Sequence, residues 1–394
     1  MKQIYTNINI IGGGLIGTFA AYALSKFGLG ITVLEKKPAY NSKKNSFDQR
    51  TIAISEGTKN FLEKIGIWNE IKPLAEKIKT IKVIDRKIQN QLEFDNKRRK
   101  SNLGYIVNNS HLLEILYKKL KERKNIKILN NFDITNFENT SEKIITNSNN
   151  YQILSDLNIA ADGKNSFVKQ NLKTPYFFKD YKKKALVIIF THSKDHCGTA
   201  FEFFYKNGPL AILPMKKKNE NFMSSIVWTN EGEYLKNLTN MDIEKFKSVL
   251  FQETQNCVGN IKSIISKQLF PLTAHINTRF FERRTIYIGD AAHSFHPIAG
   301  QGWNLGISDV ENLTNLVNKY SSCGISLGDS FFCKEYNRDN FYNAYRLYQI
   351  TDKLDNIFRI KNPIFNLGRL SGINLIQNNK KIKNIISDFA MGIN

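Results

Sequence analysis

The segment that most constrains this chain lies at its start. Residues 7–11 (NINII) read as a short apolar strand that runs into Gly12-Gly13-Gly14, Leu15 to Lys26 as an Ala-rich helix, and Ile31 to Glu35 (ITVLE) as a second strand. Strand, tight turn, helix and strand within about thirty residues make a βαβ unit and commit this part of the chain to a parallel sheet. Gly12-x-Gly14-x-x-Gly17 opens the helix, and Glu35 stands eighteen residues after the last glycine. Glycine serves three ends here: the tight turn, close approach of the backbone to a pyrophosphate, and close packing of helix on sheet. The helix N-terminus offers unpaired N–H groups and the positive end of its dipole to phosphates, while Glu35 accepts from ribose hydroxyls and argues against a 2′-phosphate. On its own this fingerprint does not separate NAD from FAD.

Further along, Leu112, Leu116 and Leu120 mark a helix, followed by the strand-like NIKIL at 125–129. A polar turn at 147–150 between EKIIT and YQIL predicts a hairpin, and the strand Leu157 to Ala161 ends at Asp162-Gly163. From Tyr176 to His275 the texture changes to strands rich in Phe, Ile and Val, with one helical stretch near 241–252. A last strand, Thr285 to Gly289, leads through a Gly-containing loop to a helix, and beyond 335 the chain is helical. The expected fold class is therefore α/β: a Rossmann-like dinucleotide-binding domain, discontinuous in sequence, with an inserted β-rich domain and a C-terminal helical segment. The expected division is 1–74, 104–175 and 277–345 for the first, 75–103 and 176–276 for the second, and 346–394 for the third.

Composition narrows the partners. The 394 residues carry 57 Lys plus Arg against 35 Asp plus Glu, a formal charge of +22, but the lysines are spread through a Lys/Asn/Ile-rich chain. Without clustered cations on a recognition helix or aromatic platforms, nucleic acid is not an expected partner. No apolar run reaches the length of a bilayer span, and Cys197, Cys257, Cys323 and Cys333 form no CxxC pair, so a cytoplasmic protein without a signal peptide is expected. His293/His296 and His192/His196/Cys197 lack a third ligand at metal spacing, so no metal is expected. The first pair is expected to shape a loop, the second to sit in a solvated connection.

Two later turns follow strands: Asp162-Gly163-Lys164-Asn165-Ser166 and Gly289-Asp290-Ala291-Ala292-His293. Together GGGLIG, ADGKNSFV and IGDAAHSFHPIAGQGWNLGISD resemble the single-component FAD-dependent aromatic monooxygenases. DQRTIAIS (48–55), GYIV (104–107), GPLAILPM (208–215), SSIVWT (224–229), FPL (270–272) and AMG (390–392) resemble the ubiquinone-biosynthesis hydroxylases within that group, almost end to end. Lys169 departs from the pattern, standing where an arginine is usual, and 80–102 is unusually basic.

The resemblance implies FAD as cofactor and NAD(P)H as a transient co-substrate. The reduced flavin would capture O2 as a C4a-hydroperoxide that hydroxylates the ring of a polyprenyl phenol or quinone precursor. A small soluble phenol is the alternative substrate. Carried onto this sequence, the resemblance implies that Gly12, Gly14, Gly17 and Glu35 hold the adenosine pyrophosphate end and that Arg50, Asp162 and Gly163 contact the cofactor, Asp162 also the nicotinamide. Asp290 would bind the ribityl chain, Pro297 would flank the flavin ring, and N–H groups around Gly300, Gly302 and Asn304 would face its N1/C2=O edge. Phe201, Phe203, Leu210, Ile212 and Leu213 are the candidate pocket lining; no residue stands out as a catalytic base. Apolar Phe365, Leu367, Leu370, Ile373 and Ile376 alternate with Arg369 and Lys380-Lys381-x-Lys383, a pattern compatible with lying on an anionic membrane at its inner face. Association with other enzymes of ubiquinone biosynthesis is a further expectation of the resemblance.

Overall fold

The structure is a computed structural model that describes residues 1–38, 50–85, 90–95, 101–205, 207–295 and 301–359, together with 379, 381, 383, 384, 387, 388, 391 and 392. Strands β1 (Lys2–Ile11), β2 (Ile31–Leu34), β8 (Ile126–Leu129), β11 (Tyr151–Ala160) and β18 (Thr285–Tyr287) pair in parallel in the order β18-β11-β1-β2-β8. The short β17 (Phe281–Glu282) borders β18, and β9 (Asn136–Asn139) and β10 (Ile144–Asn147) fold antiparallel onto β11. Helices α1 (Leu15–Leu24), α4 (Asn109–Lys121), α8 (Gln301–Ser322) and α9 (Ser330–Arg359) accompany this sheet, with α1 packed against both α4 and α8. This is the α/β arrangement expected.

β1 is ten residues long because it pairs from Lys2↔Tyr151 to Ile11↔Ala160. Only Ile8 to Ile11 are uniformly buried, so an apolarity scan sees the second half alone.

The second layer is a larger sheet: β5 (Thr80–Asp85), β6 (Asn90–Asp95), β12 (Tyr176–His192), β13 (Thr199–Tyr205), β14 (Gly208–Lys218), β15 (Asn221–Glu231), β16 (Ile261–Asn277) and β19 (His293–Ser294), in the order β19-β16-β12-β15-β14-β13-β5-β6. A third, three-stranded sheet joins β3 (Thr51–Ile54), β7 (Gly104–Asn108) and β4 (Glu76–Ile78). Short helices α2 (Glu56–Lys64), α3 (Trp68–Ile71) and α5 (Phe167–Asn171) complete the connections. The inserted region holds two helices, α6 (Gly232–Thr239) and α7 (Ile243–Glu253), where one was expected; α6 shows the sequence only Leu235 and Leu238 as buried positions. Asp242 starts α7, its carboxylate accepting from the Glu244 N–H at 2.9 Å.

The large sheet has two unlike faces. Leu235, Leu238, Phe246 and Leu250 of α6 and α7 pack on Phe203, Leu210, Ile212, Ile226 and Trp228, making one closed core. On the opposite face Ile189, Ala200, Met215 and Met223 pack on Ile78 and Ile106 of the three-stranded sheet and on Met391, while Tyr348 of α9 packs on Leu272 and Ala274 of β16. Strand alternation decides the side each residue takes. Phe203↔Leu210 and Phe201↔Ile212 are cross-strand pairs, so the expected pocket lining is corrected: those four belong to the core under α6 and α7, and only Leu213 faces the other way.

Candidate functional site

At the carboxyl ends of the parallel strands, the usual ligand edge of such sheets, the glycine turn after β1 meets the turn after β11. Gly12 has φ +112°, and a Cβ there would lie 2.4 Å from the Ala161 carbonyl oxygen; a Cβ on Gly17 would lie 2.0 Å from the Gly12 oxygen. Both close contacts hold α1 tightly on the sheet. The N-terminus of α1 has Gly14 as N-cap and no capping side chain, which leaves its first N–H groups available to an anion. Glu35 pins the turn: its carboxylate accepts from Gly13 N at 2.7 Å and from Lys37 N at 2.9 Å. From α4, Tyr117 donates to the Gly13 carbonyl at 2.9 Å, and burial, then the Glu35 charge, push its phenol up to about 12. Tyr117 escaped the sequence reading because it sits beside the Leu112/Leu116/Leu120 stripe and looks like core.

After β11, Asp162 accepts from Val168 N at 3.2 Å through Oδ2, whereas Oδ1 is buried with no hydrogen-bond partner among the described residues. Desolvation raises its pKa against the lowering effect of hydrogen bonds from Ser166 and the backbone. Lys164 Nζ donates to the Thr273 carbonyl at 3.0 Å and so ties this turn to β16. Lys169 is buried, its ammonium donating to the Lys164 carbonyl at 3.2 Å and lying 4.7 Å from the Tyr176 ring centroid. Desolvation lowers the pKa of both lysines. Nearby, burial first and then the Lys169 charge hold His275 at about 3, keeping it neutral.

The third turn follows β18 and is held from α8. Asp309, with 1% of its surface exposed, accepts from Gly289 N at 2.9 Å and from His293 Nε2 at 2.7 Å, both through Oδ2. A carboxylate only accepts, so Nε2 of His293 carries the proton. Asp309 was the last residue of the long motif, but no role attached to it. Asp290, next to Gly289, is exposed yet desolvated enough to raise its pKa, the signature of a side chain on the wall of a crevice; the charges of Arg50, Lys164 and Lys169 act against that rise. The Arg50 guanidinium lies 5.3 Å from the Phe270 ring centroid on β16. Thus Arg50 is brought to the Asp290 turn.

Gly302 and Asn304 occupy the first turn of α8. The Asn304 side chain clamps β3, accepting from Ser55 N at 3.0 Å and donating to the Ala53 carbonyl at 2.8 Å. Pro297, Gly300 and His296 lie outside the described residues. His192 and His196 are corrected: both are buried, His192 held by Lys194 O and Ser224 Oγ at 2.9 Å each, His196 by Met215 O at 3.0 Å. Their polar spacing in the sequence concealed a packed connection from β12 to β13, strands that are not neighbours in the sheet. Among the described residues no three metal-ligating side chains gather.

The site fits an extended dinucleotide. An uncapped helix N-terminus, an unpaired buried Asp162 oxygen, the crevice-wall carboxylate of Asp290, and open space for a Cβ at Gly14, Gly163 and Gly302 are the features such a group would fill.

Comparison with known proteins defines the class. The FAD binding domain family matches residues 5–321, and the chain belongs to it. FAD is therefore the dinucleotide, which resolves what the glycine fingerprint left open. Among individual proteins, the chain is similar to ubiquinone hydroxylase UbiL of Rhodospirillum rubrum, 27% identical over 98% of this chain and 89% of that protein. It is similar also to ubiquinone hydroxylase UbiM of Neisseria meningitidis, 25% identical over 90% and 78%. The crystal structure of p-nitrophenol 4-monooxygenase PnpA from Pseudomonas putida shares the fold, with a TM-score of 0.81 at 16% identity over 99% of this chain and 98% of that one.

Proposed function

We propose that this chain hydroxylates the aromatic ring of a polyprenyl phenol or quinone precursor in ubiquinone biosynthesis, using FAD, NAD(P)H and O2. The observation that carries the proposal is the meeting of three motif turns at one sheet edge, tied by Lys164–Thr273 and Arg50–Phe270 to the large sheet. Its similarity to ubiquinone hydroxylases along nearly its whole length supports the substrate class. When bound, FAD accepts hydride and delivers one atom of O2 to the ring, the other leaving as water.

The protein's part is to bind and orient. In this reading the α1 N-terminus with Gly12, Gly14 and Gly17 takes the pyrophosphate, and Glu35 takes the adenosine ribose. Asp290 accepts from the ribityl hydroxyls, Asp162, Gly163 and Arg50 contact the cofactor, and N–H groups of Gly302 and Asn304 face the ring edge where charge gathers on reduction. Pro297 and Gly300 are assigned to the same loop by sequence alone. Residues 1–74, 104–175 and 277–345 form the FAD-binding part, 75–103 and 176–276 the substrate part, and 346–394 the C-terminal segment.

A bilayer-borne substrate calls for contact with the membrane surface, and the basic stretch 363–394 is proposed for it, most of it outside the described residues. No helix among the described residues is long and apolar enough to cross a membrane. Liposome flotation with and without 363–394 tests this; equal recovery in the soluble fraction refutes it.

The main test is to complement strains lacking each ring-hydroxylation step and identify quinone intermediates by mass spectrometry, beside a flavin spectrum of purified protein. Restoration of one step is expected. Turnover of small soluble phenols alone would refute the polyprenyl assignment, and a colourless protein that takes up no FAD would refute the whole reading.

A further inference from the structure

The face of the large sheet opposite α6 and α7 carries a trough. Gln268, Val187, Val227, Ala211, Glu202 and Val83 are direct cross-strand neighbours in a single row over six strands. All six are partly accessible, although the row beside them, with Ile189, Ser225 and Ala200, is buried where it meets the three-stranded sheet. A partly accessible row flanked by a covered one leaves uncovered space above those six side chains. From Glu202 to Gln268 it spans four strand steps, roughly 19 Å at about 4.8 Å each, several times the width of one aromatic ring. Its β16 end leads to Phe270, two residues beyond Gln268, on which the Arg50 guanidinium lies. Its flanking row leads through Ile106 and Ala53 to Asn304 at the start of α8.

Glu202 is the one ionisable side chain in that row. Phe203 points into the core under α6 and α7, so alternation turns Glu202 to the trough. We propose that Glu202 is the substrate-contacting base of this enzyme, accepting first the hydrogen bond and then the proton of a phenolic hydroxyl while the valines and alanine of the row carry a hydrocarbon chain. The proposal rests on the hydroxylase reading above.

The O–H bond of the phenol breaks with its electron pair staying on the ring oxygen, and a new O–H forms on the Glu202 carboxylate. The resulting phenolate is the electron-rich ring that takes up oxygen. The hydroxylated carbon then gives up its proton to solvent water as the ring regains aromaticity, the phenolic oxygen takes one back from Glu202, and the carboxylate is restored. Desolvation alone pushes the Glu202 carboxyl up to about 7, which suits a base working near neutrality. Among the described residues, Arg50, Glu76, Lys77, Arg346 and Lys383 are charged side chains on segments packed against this face, Lys383 lying 6.0 Å from the Phe94 ring centroid, and none of them contributes to that shift.

The test uses full-length FAD-loaded protein with a short-chain prenylated phenol and compares wild type, Glu202→Gln, Glu202→Asp and, as a control on the exposed side of α7, Glu244→Gln. Wild type and Glu244→Gln should show kcat/KM for hydroxylation rising through a limb near pH 7. Glu202→Gln should lose that limb and fall on the order of 100-fold at pH 8 with unchanged FAD affinity. Glu202→Asp, which keeps a carboxylate, should retain the limb even if the amide variant fails to fold. Wild-type kcat/KM with the same limb in Glu202→Gln would overturn the assignment while leaving the hydroxylase reading standing. A wild-type enzyme that binds FAD but hydroxylates no phenol would overturn both.

Discussion

Replacing Asp309 with alanine tests how the third turn is held. The carboxylate is buried and serves two donors, the Gly289 N–H at 2.9 Å and His293 Nε2 at 2.7 Å. Alanine leaves both donors buried without an acceptor, at about 1–3 kcal/mol each, so a loss of about 4 kcal/mol is expected. Part is offset because Asp309 Oδ1 has no hydrogen-bond partner among the described residues, and its removal relieves that. Asp309→Asn keeps the volume and one acceptor, so it should cost about half as much. Because Asp290 follows Gly289 directly, the slackened turn should also weaken FAD binding about tenfold or more, equal to about 1.4 kcal/mol. Urea denaturation of the apo-protein followed by tryptophan fluorescence, with FAD titration by flavin quenching, reads both effects. An alanine variant within about 0.5 kcal/mol of wild type, with FAD affinity within about twofold, would refute the view that α8 holds this turn through Asp309.

Three further outcomes follow from the packing and the ionisation of Glu202. Gly17→Ala places a Cβ 2.0 Å from the Gly12 carbonyl oxygen; it should lift α1 from the sheet, destabilise by about 1–3 kcal/mol and weaken FAD binding in the same titration. Phe246→Ala empties a fully buried position under α7 and should cost about 3–5 kcal/mol in urea melts, with FAD affinity unchanged because the site lies across the large sheet. Glu202 is raised from 4.5 to about 7 in the fold, so its contribution to stability is fully present below about pH 4.5 and lost as pH rises through about 7, roughly 3 kcal/mol in all. Glu202→Gln apo-protein should therefore match wild type near pH 4 and exceed it by up to that amount at pH 8; a difference that does not change with pH would show that the carboxyl is not desolvated.

Local chemistry determined much of this protein. The βαβ unit, the uncapped helix start and the turns after three strands could be read because glycine turns and strand ends are signalled by residues a few positions apart. The FAD class was legible because the residues of those three turns resemble a known family of flavin monooxygenases. Tertiary structure decided which groups meet. Tyr117 reaches Gly13 across 104 positions, and Asp309 reaches Gly289 across 20, contacts that carry no local signal. It also decided which face of a strand is core: Phe201 and Phe203 look as suitable for a pocket as any residues in the chain until α6 and α7 are seen to cover them. The same alternation that removes those two rings turns Glu202, between them, toward the trough. A period of two specifies that neighbours part company, and only the packing of the other layers says which of them meets the substrate.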